Sequence, residues 1–311
     1  MHLITLFDWA PDEVRELIRL GHELKRRAGD RESQRVLERR TLALVFEKAS
    51  MRTRVSFEVA MTELGGHVTY LSKADVNLGV REPIRDGARV LSRYVDGIAA
   101  RVYAHASIEE LAAYSDVPVI NALSDTAHPC QALADLLTIE ERFGGDFEGK
   151  VAFIGDANNV SRSLATVCAQ AGLDFAIASP AGYSLPDRFL GRLRELAEET
   201  GAEIRAVESP QEAAQGARVL YTDVWTSMGQ TDQAEQRKRD FAGYRIDRAL
   251  LKLADEDAVV MHPLPAHRGE EITDEVIEGP RSMVFDQAEN RLHAARAVVH
   301  VLLGSTRVPS Q

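Results

Sequence analysis

Thr41-Leu42-Ala43-Leu44-Val45-Phe46 runs into Glu47-Lys48-Ala49-Ser50-Met51-Arg52-Thr53-Arg54-Val55-Ser56-Phe57-Glu58. The first six residues form an apolar run flanked by polar ones, which predicts a buried strand. Phe57, Met61 and Leu64, spaced i, i+4, i+7, predict a helix beyond it. Two guanidinium groups and three hydroxyls therefore fall where a strand gives way to a helix. Free backbone N–H groups and the positive end of the helix dipole favour an anion there, and arginines add bidentate charge-assisted hydrogen bonds. A capped, solvated helix start with surface arginines fits the same residues.

Working outward, the same alternation recurs. Strands are expected at His67–Leu71, Gly97–Val102 and Val117–Asn121, with helices at Ile84–Tyr94, Ile108–Ala113 and from Gln131 to Arg142. An amphipathic helix opened by Pro11-Asp12-Glu13 precedes them. After the break Phe143-Gly144-Gly145-Asp146, the pattern restarts with Lys150–Gly155. Further strands are expected at Phe175–Ala178, Glu203–Ala206, Val219–Thr222, Ala258–His262 and Met283–Phe285, and a closing helix from Arg291. The fold class is α/β, with two doubly wound domains, each a mainly parallel sheet flanked by helices. The boundaries expected are 1–142 and 147–290, with a C-terminal helix 291–311 packing back on the first domain.

The 311 residues are 45% hydrophobic, enough for two cores. Acidic residues outnumber basic ones by 48 to 37, a formal charge of -11. That balance argues against nucleic acid or a membrane surface as partner. Cys130 and Cys168 give neither a disulfide framework nor zinc-type spacing, so no metal is expected and a reducing cytoplasm is the expected compartment. The N-terminus lacks a basic start and a long apolar run, and no later segment reads as a membrane span.

Polar residues cluster at the carboxyl ends of the expected strands, where open α/β sheets place ligands. Arg101 ends the run from Gly97. His128-Pro129-Cys130-Gln131 opens a helix, so His128 and Gln131 project from its N-terminus. Gly155-Asp156-Ala157-Asn158-Asn159 lacks the second and third glycines of a dinucleotide fingerprint, which disfavours a nicotinamide-dependent oxidoreductase; its two amides fit carboxylate binding or helix capping. Asp223, at the end of Val219–Thr222, suits a substrate ammonium or caps a helix. His262-Pro263-Leu264-Pro265 leaves carbonyls able to accept from an amide, or forms a plain rigid turn. Arg291 starts the last helix, where a surface salt bridge is the alternative.

Taken in order, Ser50-Met51-Arg52-Thr53-Arg54, Ala100-Arg101-Val102-Tyr103, His128-Pro129-Cys130-Gln131, Asp223 with Ser227-Met228-Gly229, His262-Pro263-Leu264-Pro265 and Glu289-Asn290-Arg291 resemble the aspartate/ornithine carbamoyltransferase family over nearly the whole chain. Asp223–Gly229, Ala266–Glu271 and Asp286–Arg291 most resemble its ornithine carbamoyltransferases.

The resemblance implies a carbamoyl-phosphate domain first and an ornithine domain second. The reaction implied takes carbamoyl phosphate and L-ornithine to L-citrulline and phosphate, within arginine biosynthesis and without cofactor or metal. By motif, Ser50, Met51, Arg52 and Thr53 would cradle phosphate, and Arg101, His128 and Gln131 would hold the carbamoyl group. Pro263, Leu264 and Arg291 would complete that site. Asn159, Asp223, Ser227 and Met228 would take the α-carboxylate and α-ammonium of ornithine. Arg101, His128, Thr53, Arg52 and Arg291 would carry the catalysis. A homotrimer is implied, with sites at subunit interfaces and Asn77 reaching a neighbour's site. Met51 and Pro263 depart from the pattern, which more often has threonine and, in ornithine enzymes, cysteine. Another acceptor amine (aspartate, putrescine or an acylated ornithine) and a non-catalytic anion-binding relative are the alternatives.

Overall fold

The computed structural model describes residues 1–29, 35–145, 147–227 and 231–304. They divide into two compact units, Met1–Leu137 with the chain from Asn290 onward, and Thr138–Glu289.

In the first unit, strands β1 (Thr41–Phe46), β2 (His67–Ser72), β3 (Gly97–Arg101) and β4 (Val119–Leu123) form one sheet. Their order is β2-β1-β3-β4, and every pairing is parallel. Parallel sheets are covered on both faces, so the inner strands read as unbroken apolar runs. Strands β1 and β3 are buried almost throughout, whereas the edge strand β2 alternates in exposure. Ala43 and Val45 point into one core with Ile98, Ala100, Val119, Ile108 and Leu111. Expected Val117–Asn121 starts later, at Val119, because Pro118 has no N–H to give a ladder.

The second unit carries β5 (Lys150–Ile154), β6 (Asp174–Ala178), β7 (Ile204–Val207), β8 (Val219–Tyr221) and β9 (Val259–Met261). Their order is β7-β6-β5-β8-β9, again all parallel. Its core joins Ala152, Ile154, Ala176, Leu220 and Val260 to the flanking helices. Two doubly wound parallel sheets are thus what the structure shows.

The expected strand Met283–Phe285 is a correction. The chain touches β9 only through an isolated bridge, Val260 to Ser282. A helix then runs from Val284 to Gly304, and its first turn is under way when the Gln287 N–H reaches the Met283 carbonyl at 2.8 Å. Arg291 consequently lies about two turns inside the last helix rather than at its start. At the far end of that helix Leu303 lies against Gly97, where a Cβ would come within 3.0 Å of it. No helix among the described residues is long and apolar enough to cross a membrane.

Candidate active site

Each sheet has one point where the strand order reverses, and loops from the two strands there leave in opposite directions, opening a crevice at their carboxyl ends. In the first unit this is the β1/β3 pair, where Phe46 stands beside Arg101 and the Glu47 N–H donates to the Arg101 carbonyl at 2.9 Å. In the second it is β5/β8, followed by Gly155–Asn159 and Thr222–Ser227.

The helix Met51–Glu63 begins directly after the β1 turn, capped by Ser50, whose Oγ accepts from the Thr53 N–H at 3.3 Å. Thr53 faces inward and is the hub of the cluster. Its Oγ1 lies 3.0 Å from Ser50 Oγ, 3.4 Å from Arg101 Nη1 and 3.4 Å from Arg291 Nη2, all three donating to it. Arg291 also donates to Gln131 Oε1 at 2.6 Å, and Gln131 Nε2 donates to Asp135 Oδ1 at 2.8 Å. Thr53, Arg101, Gln131, Asp135 and Arg291 are all buried.

Like charges are held together here. Burial, then Arg291, then Arg52, pull the Arg101 guanidinium down to about 10. Its Nε is buried without a hydrogen-bond partner, a costly state for a cation unless an anion arrives. His128, one residue before the helix Pro129–Phe143, is also buried. Burial and the charges of Arg291, Arg101 and Arg52 drive its pKa well below the usual value, so its ring is neutral near pH 7. Neutral imidazole donates through one nitrogen and accepts through the other.

Some expected residues stay outside this cluster. Arg54 points away, pairing with Glu58 at 2.8 Å and lying 3.8 Å over the Tyr70 ring. Met51 is 71% exposed at the first helical position, so what it offers the cluster is its backbone. Asn77 sits in a turn, with φ of 45° and its carbonyl accepting from Val80 and Arg81.

In the second unit, the two amides after β5 divide the work. Asn158 caps the helix Asn159–Ala171, its Oδ1 accepting from Val160 and Ser161 N–H groups at 2.9 and 3.1 Å. Its Nδ2 donates to Asp223 Oδ2 at 2.8 Å. Asn159, half-buried, opens the helix beside it. Asp223 is buried, and burial raises its carboxyl above the ordinary range; His262, the Val224 N–H and Asn158 pull the other way. It caps no helix. Ser227 is half-buried four residues further on, whereas Met228 lies outside the described residues.

His262 follows β9 and is fully buried. Its Nδ1 accepts the Leu264 N–H at 2.9 Å, so the ring proton sits on Nε2, 3.1 Å from Glu271 Oε1. That fixes the turn holding Pro263 and Leu264, both half-buried, with Leu264 at φ of 57°. Glu271 also accepts the His267 N–H at 2.6 Å. His267, Glu270 and Glu271 are a candidate metal-ligand group among the described residues, unforeseen in the sequence. Glu271 is committed to His262, and Glu270 to Lys238 at 2.9 Å.

Comparison with known proteins follows the same division. Residues 1–141 match the family model of the aspartate/ornithine carbamoyltransferase carbamoyl-P binding domain, and residues 148–302 match that of its Asp/Orn binding domain. The chain belongs to the aspartate/ornithine carbamoyltransferase family. An ornithine carbamoyltransferase of Acidothermus cellulolyticus is 53% identical over 303 residues, covering 97% of this chain and 96% of that one. One of Gloeobacter violaceus is 52% identical over 302 residues, covering 97% and 95%. Among solved structures, ornithine carbamoyltransferase from Pyrococcus furiosus superimposes with a TM-score of 0.95 at 46% identity, covering 98% of each chain. The Thermus thermophilus enzyme gives 0.87 at 49% identity, covering 97% and 98%.

For a member of this carbamoyltransferase family, two polar residues, Asp135 and Glu271, had no role read from the sequence, and Asn158 was read as a carboxylate-binding or capping amide without its contact to Asp223. Asp135 carried a usable signal, since it lies four residues after Gln131 on one helix face. Asn158 and Glu271 act through Asp223 and His262, and only the folded chain brings those pairs together.

Proposed function

We propose that the protein transfers the carbamoyl group of carbamoyl phosphate to the δ-amine of L-ornithine, releasing L-citrulline and phosphate. The observation that carries this reading is buried Arg101, its Nε unpartnered, in the field of Arg52 and Arg291. Such a group is stabilised by a compact dianion, and carbamoyl phosphate, the mixed anhydride of carbamic and phosphoric acids, supplies one.

Phosphate is held by Ser50, Arg52, Thr53 and backbone N–H groups at the start of the helix Met51–Glu63, Met51 contributing its backbone. Arg101, His128 and Thr53 face the carbonyl oxygen of the carbamoyl group, oriented by Gln131 and Arg291. Backbone carbonyls of Pro263 and Leu264 accept from the carbamoyl NH2. On the acceptor side, Asp223 takes the α-ammonium of ornithine, while Asn159, Ser227 and Met228 complete the hold on its α-carboxylate and α-ammonium. The δ-amine, resembling a lysine side chain with a pKa of about 10.4, must lose a proton before attack. Attack builds a tetrahedral oxyanion that Arg101, neutral His128 and Thr53 stabilise, and Arg52 with the helix N-terminus stabilises the departing phosphate. Positioning of the two substrates supplies much of the remainder.

Phosphate release from carbamoyl phosphate, measured with ornithine, aspartate and putrescine in parallel, tests the reading. Ornithine is expected to exceed the others by at least about a hundredfold in kcat/KM, since the losing amines leave Asp223 or its neighbours unpaired. A preference for aspartate would overturn it, and Pro263 in the form His262-Pro263-Leu264-Pro265 keeps that amine in the panel.

The working assembly in this reading is a homotrimer in the cytoplasm, in arginine biosynthesis, with Asn77 reaching a neighbour's site. The family resemblance supports the assembly, as does the strong exposure of Met51 and Val80 at 71% and 76%. Both cysteines are buried and neither forms a disulfide, which suits a reducing compartment. Sedimentation equilibrium is expected to return three times the 34.3 kDa chain mass, and a monomer would remove this assignment.

A further inference from the structure

Two carboxylates stand just beyond the ends of β5 and β8, Asp156 and Asp223; burial raises the pKa of Asp156, Arg237 pulls it back, and the charge on Asp223 adds a smaller upward push. A substrate ammonium placed at Asp223 would be drawn to both. Asp156, however, has a partner of its own. Arg237 Nη2 donates to its Oδ2 at 2.5 Å, with side chains 4% and 11% exposed. Arg237 projects from the short helix Ala234–Asp240, which follows the Asp223–Ser227 segment in the chain.

That helix is fixed to the β5 turn at more than one place. The Arg237 guanidinium lies 4.8 Å from the Tyr183 ring centroid and 5.6 Å from that of Phe241. Tyr183 donates its hydroxyl to Asp240 Oδ2 at 2.7 Å, and its carbonyl accepts the Ala157 N–H at 3.0 Å. Asn158, next in the same turn, donates to Asp223. The aromatic slot selects a planar guanidinium over an ammonium.

We infer that Arg237 is a positioning residue for the acceptor amino acid: by neutralising Asp156 and pinning the Asp156–Asn158 turn, it leaves Asp223 as the carboxylate presented to the substrate ammonium. This rests on the acceptor reading above. A buried ion pair kept only for stability is a weak use of two charges, because desolvating them offsets most of their attraction. Here the pair lies in the same turn as the Asn158–Asp223 contact, where its geometry sets which carboxylate is presented.

The test is steady-state kinetics of R237M and of the double variant D156N/R237M, with the unmodified enzyme alongside and the amine it accepts best as substrate. R237M is expected to raise the KM for the amine at least about tenfold while changing that for carbamoyl phosphate less than about twofold. D156N/R237M, with no buried charge left unpaired, is expected to return the amine KM to within about threefold of the unmodified value. Unchanged KM values in R237M, equal rises for both substrates, or a double variant as impaired as the single one would overturn the inference. If R237M does not fold, the double variant decides alone: an amine KM near the unmodified value supports the role and a tenfold rise removes it. Failure of the unmodified enzyme to use ornithine strikes the substrate reading instead, and the comparison then proceeds with the accepted amine.

Discussion

Arg101→Ala is expected to lower the rate of citrulline formation at saturating substrates by at least about a thousandfold, the scale seen when one donor to a developing oxyanion is removed. Arg101 meets the requirement that such a donor be buried, prearranged and free to bind. It ends a central strand, donates to Thr53 Oγ1 at 3.4 Å and keeps Nε unpartnered. The fold is expected to survive. Removing Arg101 relieves repulsion from Arg291 and Arg52, and Thr53 retains Ser50 and Arg291 as donors. Circular dichroism and a melting curve near those of the unmodified protein would show that the loss is chemical. Citrulline production near the unmodified rate would remove the central catalytic assignment.

The same residues show what a sequence discloses and what it withholds. Strands β1, β3, β5 and β6 were legible because burial on both faces leaves nearly unbroken apolar runs. Met283–Phe285 misled because three apolar residues carry no period, and a helix start reads like a strand over so short a window. Arg52 and Arg54 looked equivalent in the Ser50 patch. Two residues apart on a helix, they are rotated by about 200° and face opposite ways, which sends Arg54 to Glu58 and Tyr70. Arg237 was invisible for a related reason. Arg237-Lys238-Arg239 reads as a solvated basic face, yet the fold buries the first and exposes the other two. Arg101, Arg291 and Thr53 could be named from motifs, but the convergence of both arginines on the Thr53 hydroxyl depends on contacts as far apart in the chain as Thr53 and Arg291.

Asp223→Asn is expected to reduce kcat/KM for ornithine by about a hundredfold or more, with the KM for carbamoyl phosphate within about twofold of its unmodified value. Asparagine keeps the shape and can still accept from Asn158 at the position now 2.8 Å away. The missing charge, rather than a collapsed turn, then accounts for the loss. The pH dependence separates this from a general weakening. Burial raises the Asp223 pKa above the ordinary carboxylate value, against the opposing pull of His262, the Val224 N–H and Asn158, with Glu271 raising it further. In the proposed site its ionised form holds the ammonium, so kcat/KM for ornithine is expected to fall as pH drops through that raised pKa. The δ-amine must also be unprotonated, which makes the rate climb with pH towards about 10.4. Both titrations act in one direction. A plot of log kcat/KM against pH should rise with a slope of about two below the Asp223 pKa and about one above it. In D223N the steeper limb should vanish, leaving the amine's slope of about one throughout. A variant that keeps the steep limb would assign that titration to another group, and one that keeps the ornithine KM would free Asp223 from any part in acceptor binding.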